Sequence, residues 1–92
     1  MQDNIKLSIA IITKNEEDNL TDCLRSASFA DDIVVVDSGS TDRTVEVAGD
    51  FGCRVFVEDW KGYGPQKNSA LNKCKNEWAF ILDADERMPE ET

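Results

Sequence analysis

Four short apolar runs, separated by segments with helical periodicity, constrain this 92-residue chain more than any other feature. Leu7 to Ile12 (LSIAII), Ile33 to Val36 (IVVV), Cys53 to Val57 (CRVFV) and Trp78 to Leu82 (WAFIL) are too short for buried helices. Each is bounded by polar residues, so each reads as a buried strand. Between the first two, Leu20, Cys23, Leu24 and Ala27 recur at the spacing of one helix stripe. Asn15 is the predicted N-cap of that helix, with Glu16, Glu17 and Asp18 in the first turn, where the macrodipole favours negative charge. Ser40 or Thr41 is predicted to cap a second helix that carries Val45, Ala48 and Phe51 inward and stops at Gly52. Pro65 suits the first position of a third helix, continued by Ala70, Leu71 and Cys74.

The resulting order is β-α-β-α-β-α-β. Near-continuous apolar strands alternating with helices predict an α/β fold: a parallel, Rossmann-like sheet of about four strands, covered on both faces by right-handed crossovers. The chain reads as a single domain over 1–92, without repeats or linkers before Arg87. The last strand is followed only by a short polar stretch containing RMPEET, so the sheet is expected to be truncated, and self-association through uncovered apolar surface is expected.

Charge narrows the partners. Ten Lys+Arg against nineteen Asp+Glu leave a formal charge of −9, which opposes binding to nucleic acid and to anionic membrane surfaces. Cys23, Cys53 and Cys74 form no CxxC pair, and histidine is absent, so neither a zinc site nor a disulfide framework is indicated. They read as small apolar residues in a reducing cytoplasm. Without histidine the commonest general base is also missing, leaving carboxylates, Lys, Arg, hydroxyls or a hard cation for any chemistry. No apolar run approaches the ~20 residues of a membrane span, and no signal peptide is evident.

In open parallel sheets ligands bind beyond the carboxyl ends of the strands. Four segments fall there: Thr13-Lys14-Asn15-Glu16, Asp37-Ser38-Gly39-Ser40, the loop from Glu58 to Asn68, and Asp83-Ala84-Asp85. The first turn has no glycine, and neither GxGxxG nor GxxxxGK[ST] occurs, which disfavours a nicotinamide dehydrogenase and a P-loop NTPase. Thr13 and Glu16 suit a nucleoside pocket, and equally a cap and a first-turn acid. Asp37 can accept hydrogen bonds from a ribose or base, or can start an Asx-type turn. Lys67, placed in the first turn of the third helix, suits an anion such as phosphate. Asp83 and Asp85 point to one side of an extended segment, where two carboxylates plus substrate phosphates suit Mg²⁺ or Mn²⁺. The alternative is a pair of solvated acids.

Together SIAIITKNEEDNLTDCLRS, DDIVVVDSGSTDRTVEVA, GYGPQKNSAL and WAFILDADE resemble glycosyltransferase family 2, inverting enzymes of the GT-A fold, over about Leu7 to Glu86. The DSGSTDRT and GYGPQKN wording looks most like bacterial lipopolysaccharide core β-glucosyltransferases. The resemblance implies a donor of the UDP-sugar type, a hexose passed to a cell-surface glycan or lipid, and a location in the cytoplasm or peripheral to the inner membrane face. It implies that Thr13 and Glu16 border the nucleoside, that Asp37, with Ser38 beside it, holds the base, and that Lys67 approaches the nucleotide. Asp83 then contacts the ribose region and shares a metal with Asp85. The family's acceptor half, with its catalytic base, follows the metal motif, whereas this sequence stops seven residues past Asp85. No catalytic base is therefore expected within it, and the piece alone is expected to bind donor without turnover. Two competing readings are a haloacid-dehalogenase-like phosphatase using Asp83 and Asp85, and a non-enzymatic α/β interaction module.

Overall fold

The computed structural model describes residues 6–83. The elements run β1 (Leu7–Thr13), α1 (Glu17–Ser26), β2 (Asp32–Asp37), α2 (Thr44–Asp50), β3 (Arg54–Val57), α3 (Tyr63–Asn72) and β4 (Trp78–Asp83). All strand pairs are parallel, in the order β3-β2-β1-β4, which is the α/β arrangement the alternating runs predict. The two most apolar strands, β1 and β2, occupy the centre because only there are both faces of a strand covered.

Each face has its own core. Ile9, Ile11, Val35 and Leu82 pack with Leu20, Cys23, Leu24 and Ala27 of α1 and the following turn and with Ala48 of α2. On the other face Ala10, Ile12, Val34 and Val36 pack against Ala70, with Phe56, Cys74 and Ile81 around them. At the β4 edge Trp78 and Phe80 stay about half exposed.

At the amino ends of the strands Asp32, buried, ties the layers together. Its carboxylate accepts from Ser8 Oγ at 2.9 Å, from Arg54 Nε and Nη2 at 2.9 Å each, and from the Lys75 N–H at 3.0 Å. Burial alone would raise its pKa, but the Arg54 fork, the Lys75 amide and Ser8 outweigh it and hold the group at about 2.

The helix starts depart from the expected caps. Asn15 does not cap α1: it takes a left-handed conformation (φ 53°), and its Oδ1 accepts from the Thr41 N–H at 2.8 Å, tying the first turn to the second. Asparagine tolerates this region better than most residues. The second helix is capped by neither Ser40 nor Thr41. Ser40 is committed to Asp37, and the Asp42 carboxylate accepts the Thr44 N–H at 2.9 Å, so α2 starts at Thr44. With Thr44 and Ala48 turned to the sheet, Phe51 becomes the C-cap residue and is 40% exposed instead of inward. The third helix begins two residues before Pro65, after Gly62 at φ 99°. Pro65 is tolerated there because the first four helical N–H groups have no intrahelical partner. Lys67 thereby becomes the fifth helical residue, outside the first turn in which its anion site was expected.

Candidate functional site

A cavity of about 560 Å³ opens at the carboxyl ends of β1, β2 and β4. Ile12, Thr13, Lys14, Glu16, Ser38 and Asp83 line it from the strand ends, and Trp60, Tyr63 and Gln66 from the β3–α3 loop and the start of α3. Parallel register sets this up, since Thr13 pairs with Asp37 and Ile12 with Asp83, bringing three strand ends to one level.

The turn that carries Ser38 is anchored by Asp37. Wholly buried, its carboxylate accepts from Thr13 Oγ1 at 2.6 Å, Gly39 N at 2.9 Å, Ser40 N at 2.7 Å and Ser40 Oγ at 2.5 Å. Burial pushes its pKa up, but the Ser40 hydroxyl and amide, the Thr13 hydroxyl and the Gly39 amide together bring it below the usual carboxylate range. The group is thus an ionised anchor for the turn after β2. Gly39, at φ 94°, allows the reversal that its neighbours' hydrogen bonds require. Ser38 is held by its N–H on Thr13 O at 3.0 Å, and Lys14 Nζ donates to Gly39 O at 3.0 Å.

Glu16 faces the cavity with Oε1 accepting from Asn19 Nδ2 at 3.1 Å. Asp83 ends β4, its carbonyl receiving the Cys23 thiol at 3.8 Å. Trp60 and Tyr63 meet edge-to-face with ring centroids 4.9 Å apart, and both are more than half exposed. The structure therefore brings together Thr13, Glu16, Ser38 and Asp83, with Asp37 holding the turn that carries Ser38. Lys67 is not a lining residue, and its Nζ lies 5.9 Å from the Tyr63 ring centroid. Asp85, the second carboxylate of the expected metal pair, lies outside the described residues.

Glu58, in the same loop, is turned away toward α3. Lys73, Ser69 and Lys61 hold it at about 2. Among the cysteines only Cys23 is fully buried, and all three are free. Burial, then the nearby Cys23, pushes the Cys53 thiol up to about 11, so it behaves as an inert side chain. Among the described residues no three His, Cys, Asp or Glu converge as a metal cage, and no helix is long and apolar enough to cross a membrane.

Lys14, Trp60, Tyr63 and Gln66 are cavity residues that residue-by-residue reading passed over. All four fall in two of the strand-end segments that the sheet rule selects. The signal available was a pair of large aromatics in a polar loop, where no core is close enough to bury them.

An all-parallel sheet with helices on both faces and its cavity at the strand ends defines a Rossmann-like binding fold, of the GT-A kind. Residues 8–92 match the model of the family described as Glycosyl transferase family 2. The chain belongs to that family. It is 42% identical over 89 residues to the lipopolysaccharide core biosynthesis glycosyltransferase LpsC of Rhizobium meliloti, covering 91% of this chain and 33% of that protein. Among solved structures it resembles TarS of S. aureus, with TM-score 0.78 and 27% identity over 95% of this chain and 29% of that one. It also resembles glucosyl-3-phosphoglycerate synthase from Mycobacterium tuberculosis in complex with Mn²⁺, UDP and glucosyl-3-phosphoglycerate. There the TM-score is 0.74 and the identity 26%, over 87% of this chain and 33% of that chain. The chain spans 30–33% of the length of the curated relatives LpsC and an uncharacterised glycosyltransferase of Rickettsia bellii. Membership in this family argues against a haloacid-dehalogenase-like phosphatase.

Proposed function

We propose that the strand-end cavity holds the nucleoside diphosphate of a UDP-type sugar donor, for transfer of a hexose to a cell-surface glycan or lipid acceptor. The observation that carries this reading is the convergence of Thr13, Glu16, Ser38 and Asp83 on one cavity at the carboxyl ends of the strands, in a chain of this family. Support for the donor class comes from the UDP complex of the mycobacterial neighbour. The similarity to LpsC supports an acceptor of the lipopolysaccharide kind.

In this reading the buried, ionised Asp37 acts through its hydrogen bonds. It holds the Ser38-Gly39-Ser40 turn in place so that Ser38 and Thr13 meet the nucleoside, and Lys14 steadies the same turn through its carbonyls. Lys67, one turn into α3, lies behind Tyr63 and adds positive potential without a lining contact. A divalent cation fits the donor set: Asp83 offers a hard carboxylate at the cavity edge, Asp85 is its proposed companion, and donor phosphates complete the coordination. When bound, the ion supplies Lewis-acid stabilisation of the leaving diphosphate, and Mg²⁺ and Mn²⁺ both suit oxygen ligands. No described residue is assigned as the base that activates the acceptor; that role is proposed for the family's acceptor half.

The test is calorimetric titration of the folded protein with UDP, with and without Mn²⁺, repeated on Asp85→Ala. Metal-dependent binding that the substitution weakens by about tenfold or more is expected, as for a lost charged ligand. Absence of UDP binding in a folded sample overturns the reading.

A further inference from the structure

Trp60 and Tyr63 line the cavity while remaining 52% and 67% exposed, so both rings border it where it opens to water. Two large aromatics left in a polar loop forgo the stabilisation that burial would give them. Exposed apolar groups beside a cavity mark a contact surface.

Their placement is fixed by the loop between them. Gly62, at φ 99°, turns the chain, the Lys61 N–H donates to Oε1 of the buried Gln66 at 3.2 Å, and Lys61 Nζ donates to Glu58 Oε1 at 3.1 Å. A surface held in place beforehand loses less freedom when a ligand arrives. The two rings meet edge-to-face with centroids 4.9 Å apart. Such a contact covers at most one face of each ring, so one face of the Trp60 indole is left free of Tyr63.

Position and ring chemistry together indicate the ligand. Helix α3 packs on the sheet face of Ala10 and Ile12, and α1 on the face of Ile9 and Ile11, so the aromatic pair and Glu16 flank the strand ends from opposite sides. A base or other small ligand is mostly enclosed when bound. Rings that stay open to water suit instead the end of an elongated molecule that remains largely in solvent. A pyranose is such an end: its C–H groups are attracted to the negative face of an aromatic ring while its hydroxyls point outward. Lys67, with Nζ 5.9 Å from the Tyr63 centroid and no ion pair among the described residues, offers those hydroxyls a donor beside the pair.

We propose that Trp60 and Tyr63 form an acceptor platform, on which the terminal pyranose of a glycan stacks next to the donor site. This rests on the nucleotide-sugar reading above and adds to it residues of this chain that touch the acceptor.

The probe is the lipid-free core oligosaccharide released from a bacterial lipopolysaccharide. The protein has two tryptophans, Trp60 and Trp78, so its nitrogen-proton correlation spectrum holds two indole signals, which Trp60→Phe assigns. With UDP and Mn²⁺ present, the probe should shift the Trp60 signal saturably and leave that of Trp78 in place. It should not displace UDP, because acceptor and donor occupy the site together. Trp60→Ala and Tyr63→Ala, checked for folding by circular dichroism, should each weaken the oligosaccharide by about tenfold, for one lost aromatic contact, and UDP by less than about threefold. Trp60→Phe, which keeps a flat face, should retain most of the oligosaccharide affinity. Competition between oligosaccharide and UDP, or an equal loss of both in Trp60→Ala, overturns the acceptor role and gives the ring to the nucleotide. UDP binding without a saturable shift at Trp60 overturns the platform while leaving the nucleotide site standing. Failure of the folded, unsubstituted protein to bind UDP overturns that site and this role with it.

Discussion

Replacing Asp32 by Asn tests the electrostatic anchor at the amino end of the sheet. The Asp32 carboxyl is held at about 2 against an ordinary value of 3.8, a difference of nearly two units. At about 1.4 kcal/mol per unit, its ionised form contributes about 2 kcal/mol to folding. Because the folded value is depressed, that contribution is complete above the unfolded value and disappears as pH falls from about 4 through about 2. Asn keeps the shape and one acceptor but loses the charge facing the Arg54 guanidinium, which also donates to Lys73 O at 2.6 Å. Asp32→Asn should therefore be about 2 kcal/mol less stable at pH 7 by urea denaturation followed by tryptophan fluorescence. The gap to the unsubstituted protein should narrow as pH is lowered from 5 toward 2.5. Glu58, also held low, titrates alike in both proteins and cancels in the comparison. The pair lies at the opposite end of the strands from the cavity, so UDP affinity of the folded variant should not change. Equal stability at pH 7, or a gap independent of pH, would refute the assignment of this depressed value to the Arg54, Lys75 and Ser8 contacts.

Three further substitutions, at Asp37 and Asn15, probe the turns that follow β1 and β2. Asp37→Ala leaves the Gly39 and Ser40 amides without their acceptor, and at about 1–3 kcal/mol for each lost partner it should cost about 2–4 kcal/mol in urea denaturation, water repaying part of it. In the fraction that remains folded, UDP binding should fall as well, since the turn that carries Ser38 is released; unchanged affinity by calorimetry would mean that Ser38 does not depend on this anchor. Asn15→Ala should destabilise by about 1–2 kcal/mol, combining a left-handed backbone that alanine dislikes with loss of the acceptor for the Thr41 N–H. Asn15→Gly separates the two, because it relieves the backbone and still loses the acceptor, so it should recover part of the loss in the same denaturation assay.

Strand placement was legible because burial on both faces leaves an unbroken apolar signature: LSIAII, IVVV, CRVFV and WAFIL each lie within one residue of β1 to β4 at either end. Helix starts were less legible. Asn15, Ser40, Thr41 and Asp42 are all plausible caps by residue type, and the choice among them rests on partners about 25 residues away, such as the Thr41 amide that claims Asn15. Lys67 shows the same limit, since Pro65 is acceptable at several first-turn positions and the Gly62 backbone, not the proline, sets where α3 begins.

The sequence by itself determined the alternation of strands and helices, the parallel sheet they imply, and the four strand-end segments among which a site had to lie, because periodicity and burial are local properties. Only the tertiary structure decided how those segments share the work. Parallel register brings Thr13, Asp37 and Asp83 to one level, and burial then turns Asp37 inward to accept four protein hydrogen bonds while Ser38 meets the cavity. It also gives Gln66, an unremarked polar residue in a loop-helix segment, the Lys61 N–H as a partner, which fixes the loop between Trp60 and Tyr63. The physical reason is that hydrogen-bond supply and demand are settled by neighbours in space, and those neighbours come from separate strands and loops.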